Sequence, residues 1–379
     1  MSLSRTISRL KRGREAFASL HSAMPSAPHR PIGGSRLRDL EPSFANPGNL
    51  RARYYLPSNG TGPTGLLVVL HGCTQHAEGY DRGSGWSALA QRHGFALLYP
   101  EQQRENNHNL CFNWYQASDA TRGRGEAASI AAMVKAVASA HAIPANRTFV
   151  TGLSAGGAMT AVMLATYPEL FAGGAVIAGL PYGCAGNVSE AFECMAGRLP
   201  AGRNALAAKV RTASQHQGPW PRLSVWHGSA DRIVAPANAD ALIAQWTALH
   251  GLAPGSDRAE QVDGQRRQVW LAPDGSELIE RYDVAGMAHG TPLMPGVEAG
   301  QSGEAGAHML DVGLSSTDRI AEFFGLIPPN SAGRGSAHQA RARDSEHSGA
   351  SASSFKIPGV SSSIQDTIER ALRSAGIGR

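Results

Sequence analysis

The segment TFVTGLSAGGAMTAVMLATYP, residues 148–168, joins a short β-prone run to a helix across a single turn, and no other feature constrains the fold as strongly. Phe149 and Val150 lie in the apolar run, whereas Met159, Val162, Met163 and Tyr167 recur at the three-and-four spacing of a helix face. Ser154 falls between them, inside G-x-S-x-G. A turn this tight leaves no room for side chains at Gly152 and Gly156 and holds the serine hydroxyl exposed above a sheet edge. The amide of Ala155 opens the helix, where unpaired N–H groups and the helix dipole favour an oxyanion. With 44 glycines in 379 residues, the five-residue pattern alone arises by chance about 0.4 times. Its strand and helix context therefore carries the information.

A serine hydroxyl is a weak nucleophile until a histidine takes its proton and a carboxylate orients that histidine. In chains built on such an elbow the partners follow in the order serine, acid, histidine, each after a later strand. RLSVWHGSADRIVAPANADALIAQW predicts a strand over 223–226, a turn bearing Asp231, and a helix after Pro236. Next, RRQVWLAPDGSELIERYDVAGMAHGTPL predicts two strands joined at Asp274-Gly275, a hairpin signal, with His289 in the loop that follows. Three histidines compete with it. His71 precedes the elbow, His227 ends the acid strand, and His308 has no strand before it, so order and position favour His289. A second oxyanion donor is expected after an early strand. GLLVVLHGCTQ supplies one, and Cys73 is the candidate through its amide.

Together, LHGCTQ, GFALLYPEQ, CFNW, TGLSAGGAMTAVMLATYPELFAGGAVIAGLPYG, WHGSADRIVAPAN and GMAHGTP resemble the esterases of the short-chain polyhydroxyalkanoate (PHB) depolymerase family, related to feruloyl and acetylxylan esterases. The resemblance runs over residues 51–324. It implies an α/β-hydrolase fold, Ser154 as nucleophile, Asp231 as acid, His289 as base, and the Cys73 and Ala155 amides as oxyanion hole. It also implies an ester substrate, polyester or small molecule. Two features differ from secreted polymer-degrading members: no apolar run follows the N-terminal charges as a signal peptide requires, and no separate polymer-binding domain is evident. A ligand-holding member of the fold without chemistry is the other class of reading, and it has no need for serine, acid and histidine in order.

Strands near 51–56, 66–70, 95–99, 148–150, 175–178 and 223–226, with the late pair, alternate with helices and predict a mostly parallel central sheet with helices on both faces. Ile130, Met133, Val134 and Val137 form one apolar stripe suited to such a sheet. The segment 181–222 is long for a strand-to-strand connection and is expected to form a lid or acyl pocket. Trp114 and Trp220 are candidate pocket aromatics.

Charge is concentrated at the ends of the chain. Residues 1–40 carry eight Lys or Arg against two acids, and residues 331–379 seven against four; from a net charge of +5 this leaves −4 for the middle. The central region thus gives no reason to expect nucleic acid. The apolar runs are strand-sized, well short of the roughly 18 residues a membrane span needs. The expected organisation is a basic arm over 1–45, a catalytic domain over 46–328, a flexible linker over 329–361 and an amphipathic helix over 362–379. No P-loop, dinucleotide fingerprint, H-E-x-x-H or paired C-x-x-C occurs, so no cofactor or metal is indicated. Of the three pairings four cysteines allow, Cys73 with Cys111 and Cys184 with Cys194 is the natural one, against four free thiols in a reducing compartment. Disulfides and the family resemblance favour an extracellular site; the missing signal peptide favours the cytoplasm.

Overall fold

A computed structural model describes residues 36–329 apart from 42, 59, 61, 200 and 201. Most of the expected basic arm, nearly all of the linker and the whole C-terminal helix lie outside the described residues. Among them, a ten-stranded sheet runs in the order β1-β2-β4-β3-β5-β6-β7-β10-β9-β8. Its strands are β1 (Arg38–Asp39), β2 (Arg51–Tyr55), β3 (Leu66–Leu70), β4 (Ala96–Glu101), β5 (Thr148–Leu153), β6 (Gly173–Ile177), β7 (Arg222–Gly228), β8 (Arg258–Val262), β9 (Gln265–Leu271) and β10 (Glu277–Val284). Strands β4 to β10 through β3, β5, β6 and β7 pair in parallel, and antiparallel strands close both edges. A small sheet pairs β11 (Thr291–Leu293) with β12 (Met309–Asp311).

The parallel strands read as continuous apolar runs because both their faces are covered. Along β3, Leu66, Val68 and Leu70 enter one core while Leu67 and Val69 enter the other. The first core is closed by α3 (Gly125–Ala140), α4 (Ala155–Thr166), α6 (Arg203–Ala213) and α7 (Ala237–His250); the second by α1 (Ala77–Ser84), α2 (Trp86–His93) and α8 (Ser316–Phe323). The stripe Ile130, Met133, Val134 and Val137 is buried on α3 as its spacing predicts. All twelve residues of α4 are buried, so this helix has no solvent face.

Two of the expected segments contain regular elements. Arg38–Asp39, assigned to the basic arm, pairs with Arg53–Tyr54 as an edge strand, because Leu37 beside it buries its side chain in the second core. The long connection 181–222 holds α5 (Val188–Met195) and then α6, whose Leu206, Ala207 and Val210 are buried. It therefore contains an ordinary crossover helix as well as an extra one.

Candidate active site

Strand β5 enters α4 through Ser154, which takes φ 56° and ψ −116°, a conformation L-residues avoid. Such backbone costs about 1–3 kcal/mol and persists only where its surroundings enforce it. Here the Ser154 amide donates to Ile177 O at 2.9 Å. The flanking glycines are required by space: a Cβ on Gly156 would meet Leu70 O at 2.2 Å, and one on Gly152 would meet Gly156 O at 2.4 Å. The first hydrogen bond of the helix runs from Ala158 N to Ser154 O at 2.8 Å, so the Ala155 amide is one of the unpaired donors of the helix start.

Asp231 follows β7 in a turn whose backbone it caps with its own side chain. Oδ1 accepts from the amides of Ile233 and Val234, both at 2.9 Å. On the other oxygen, His289 Nδ1 donates to Oδ2 at 2.7 Å. Both side chains are almost fully buried. Burial alone would raise the Asp231 carboxyl, but hydrogen bonds from His227 and His289, the His289 charge and the Val234 amide hold it far below the usual carboxylate range. An ionised Asp231 fixes the proton of His289 on Nδ1 and leaves Nε2 as the basic nitrogen.

The acid turn and the histidine loop are clamped together by backbone. Ala230 N donates to Met287 O at 3.0 Å and Ser229 N to Val284 O at 3.0 Å. Ser154, Asp231 and His289 follow β5, β7 and β10, at the carboxyl edge of one parallel sheet whose local order is β5-β6-β7-β10. The Ser154 hydroxyl makes no hydrogen bond among the described residues, so the bond to His289 expected of a reacting pair is not formed here. Bonds of this kind are commonly long in a ligand-free site and tighten with substrate.

Cys73 lies in the loop after β3, and its amide likewise makes no hydrogen bond among the described residues. The loop is held from three sides. A disulfide joins Cys73 to Cys111; Thr74 N donates to Asn109 O at 2.7 Å; and Gly72 N donates to Gln75 Oε1 at 2.8 Å. His71, the early competitor, is a structural residue: Nδ1 donates to Gly72 O at 2.8 Å while Nε2 accepts from Gln102 N at 3.1 Å. Burial pushes this imidazole down, toward the neutral form that such bonding needs.

Behind the disulfide lies a group that sequence patterns do not reveal. The buried Glu126 carboxyl group accepts from Gln102 Nε2 at 2.5 Å, Asn113 N at 2.8 Å and Asn113 Nδ2 at 2.8 Å. Gln102 Nε2 also donates to Cys111 O at 3.0 Å. One buried acid thus anchors the segment that carries Cys111 of the disulfide. Its only trace in the sequence is that Gln102 and Asn113 fall inside two of the stretches that carry the family resemblance.

Cys184 and Cys194 do not form the second disulfide expected. Both are buried thiols, and Cys194 Sγ points to the Cys184 carbonyl oxygen at 2.8 Å. Contact with Cys194 and burial push the Cys184 thiol up, which keeps it protonated. Each candidate pocket aromatic contacts a neighbouring ring. Trp114 is buried with its ring edge-on to Tyr115, and the half-buried Trp220 is edge-on to His216. Among the described residues there is no cluster of three or more metal-ligating side chains, and no helix is long and apolar enough to cross a membrane.

A family model described as Esterase PHB depolymerase matches residues 50–269, more than half of the chain. The chain belongs to the PHB depolymerase esterase family. Like other members it is a carboxylic ester hydrolase with the α/β-hydrolase fold. This esterase is 47% identical over 285 residues to poly(3-hydroxyalkanoate) depolymerase C of Paucimonas lemoignei, a match covering 74% of this chain and 68% of that protein. It is 31% identical over 256 residues to feruloyl esterase B of Talaromyces funiculosus, covering 65% and 71%. Among solved structures, the acetyl xylan esterase from Aspergillus awamori superposes with a TM-score of 0.65 at 25% identity, over 77% of this chain and 99% of that one.

Proposed function

We propose that this esterase cleaves short-chain hydroxyalkanoate esters, polymer or oligomer, through an acyl-enzyme on Ser154. Ser154 Oγ attacks the ester carbonyl as His289 Nε2 takes its proton. The tetrahedral oxyanion is held by the amides of Cys73 and Ala155. Collapse expels the alcohol, which receives the proton from His289. Water, deprotonated by the same imidazole, then releases the acid and restores Ser154. Asp231 steadies the imidazolium in both steps. The observation that carries this reading is the short bond from His289 Nδ1 to the ionised Asp231, at the sheet edge where the strained elbow also presents Ser154.

The substrate class rests on the similarity to the Paucimonas lemoignei depolymerase. The likeness to acetylxylan and feruloyl esterases supports a second reading, a carbohydrate esterase. Hydrolysis of p-nitrophenyl butyrate, 3-hydroxybutyrate oligomers, acetylated xylan and methyl ferulate by wild type and Ser154→Ala tests both. The proposal expects oligomer cleavage that Ser154→Ala abolishes. Equal slow hydrolysis by both proteins overturns the mechanism, and a clear preference for acetylated xylan or ferulate overturns the substrate.

A further inference from the structure

His227 is the penultimate residue of β7, four residues before Asp231, and both side chains are buried. Its Nε2 lies 2.9 Å from Val234 O and 3.3 Å from Asp231 Oδ2. Carbonyl and carboxylate oxygens can only accept, so Nε2 carries the proton and its N–H forks between them. Oδ2 is the same oxygen that receives His289 Nδ1 at 2.7 Å. Two imidazole N–H groups therefore share one carboxylate oxygen. The other nitrogen of His227, Nδ1, is buried with no hydrogen-bond partner.

A ring held only for packing would be better served by phenylalanine, which leaves no buried lone pair unsatisfied. The retained N–H, aimed at the acid, is what distinguishes histidine here. Resting on the reading of Ser154, Asp231 and His289 as the reacting set, we infer that His227 is a positioning residue that fixes Asp231 Oδ2 and limits its pull on the His289 imidazolium.

The chemistry follows from sharing. Charge on Oδ2 that is partly satisfied by His227 attracts the His289 cation less. Without that donor the carboxylate holds the protonated imidazole more tightly, and the enzyme needs a higher pH to free its base. The carboxylate also loses one of the contacts that set its plane. Other ionisable groups around the pair are few. The His308 ring lies edge-on to His289 at 5.7 Å; Asp283 faces His227 in register on β10 and is held by Arg281, which also pairs with Asp240 on α7. The Cys194 end of α5 packs on this segment through Asn238 Nδ2 to Cys194 O at 2.9 Å and Ala235 N to Met195 O at 2.7 Å.

The test is the pH dependence of p-nitrophenyl butyrate hydrolysis by wild type, His227→Phe, His227→Gln and His227→Asn, from about pH 5 to 9. A glutamine amide reaches the place of Nε2; an asparagine amide stops at Nδ1, and phenylalanine has no donor. The Phe and Asn variants should lose about 10- to 100-fold in kcat with KM changed less than about 2-fold, and move the acid limb up by about half to one pH unit. His227→Gln should restore the wild-type limb and most of the rate. If His227→Phe fails to fold, the Asn and Gln pair decides alone. An unmoved acid limb in the Asn variant, or equal losses for Asn and Gln, overturns the inference. Asp231→Asn and Ser154→Ala are measured beside them. If these two keep wild-type rates the reading of the site itself has failed, whereas their inactivity with an unmoved limb removes only the role of His227.

Discussion

His308 Nδ1 donates to the carbonyl oxygen of His289 at 3.0 Å, and the two rings meet edge to face at 5.7 Å. The histidine that competes with His289 in the sequence is thus its neighbour in space, bonded to its backbone and not to the acid. It steadies the loop that carries His289. His308→Ala should therefore lower kcat by about 10-fold, while His289→Ala should cost about 10³-fold or more, as removal of a reacting group does. Steady-state kinetics on a soluble p-nitrophenyl ester separate the two. Equal losses would transfer the role of base to His308.

Ser154, the proposed nucleophile, has a backbone conformation that suits glycine. Ser154→Ala should abolish turnover yet leave stability near wild type, because the strained φ of 56° is unchanged. Ser154→Gly should also be inactive, but more stable than Ser154→Ala. Relief of about 1–3 kcal/mol of strain exceeds the roughly 0.4–1 kcal/mol that glycine's freer unfolded chain takes back. Calorimetry should place the glycine variant a few degrees higher; a lower Tm than the alanine variant would show that the elbow is not strained.

The central strands are legible because burial on both faces writes them as unbroken apolar runs, as in Leu66–Leu70. Ser154, Asp231 and His289 are legible because each follows a recognisable strand in a glycine-bearing turn. Other elements leave no local signal. Strand β8, RAEQV, is a mostly exposed edge whose polar pattern does not alternate, and α1, AEGYDRGS, contains two glycines and no apolar stripe. That helix is fixed by tertiary contacts, with Tyr80 buried and the His76 side chain capping Gly79 N. The shared oxygen of Asp231 and the Glu126 anchor are invisible for a similar reason. Each depends on which of several polar groups meet across the fold, information that spacing along one segment does not hold.

Gly228 makes the meeting of acid and base loops possible. A Cβ there would lie 2.2 Å from Met287 O and 2.8 Å from Ala288 O. Backbone cannot yield as a flexible side chain would, so Gly228→Ala must push the His289 loop from the Asp231 turn. The expected result is a loss of about 1–3 kcal/mol in stability and of about 100-fold in kcat, since small misplacements near the chemistry cost that much. Gly286→Ala in the same loop meets no atom within 4 Å and is strained only by its φ of +70°. It should keep more activity at similar stability; equal inactivity would refute the steric argument.

The Cys73–Cys111 disulfide closes a separation of 38 residues and holds the loop that bears the Cys73 amide. Chain entropy over such a loop corresponds to about 4 kcal/mol. Cys111→Ser should lower Tm accordingly. It should also reduce kcat by about 10-fold where the protein is still folded, a partial loss because Glu126 and Gln102 still hold the segment of residue 111. Thiol titration in denaturant without reductant should then count two sulfhydryls in the wild type, those of Cys184 and Cys194. A count of zero would restore the second pairing.

Glu126 couples this anchor to pH. Burial lifts its carboxyl from 4.5 to about 8 against the pull of the Asn113 and Gln102 donors. Between those values the folded protein keeps a proton that the unfolded chain has released. The contribution to stability is therefore full below pH 4.5, declines as pH rises to about 8, and is level beyond. At about 1.4 kcal/mol for each unit of displacement, the decline amounts to a few kcal/mol. Glu126→Gln has no such titration. It should begin less stable at pH 5, because an amide N–H2 replaces one of the acceptor oxygens. The gap should then narrow as pH approaches 8. Thermal melts of both proteins across this range check the sign, and curves that stay parallel would mean that Glu126 remains a carboxylate throughout, satisfied by its three donors.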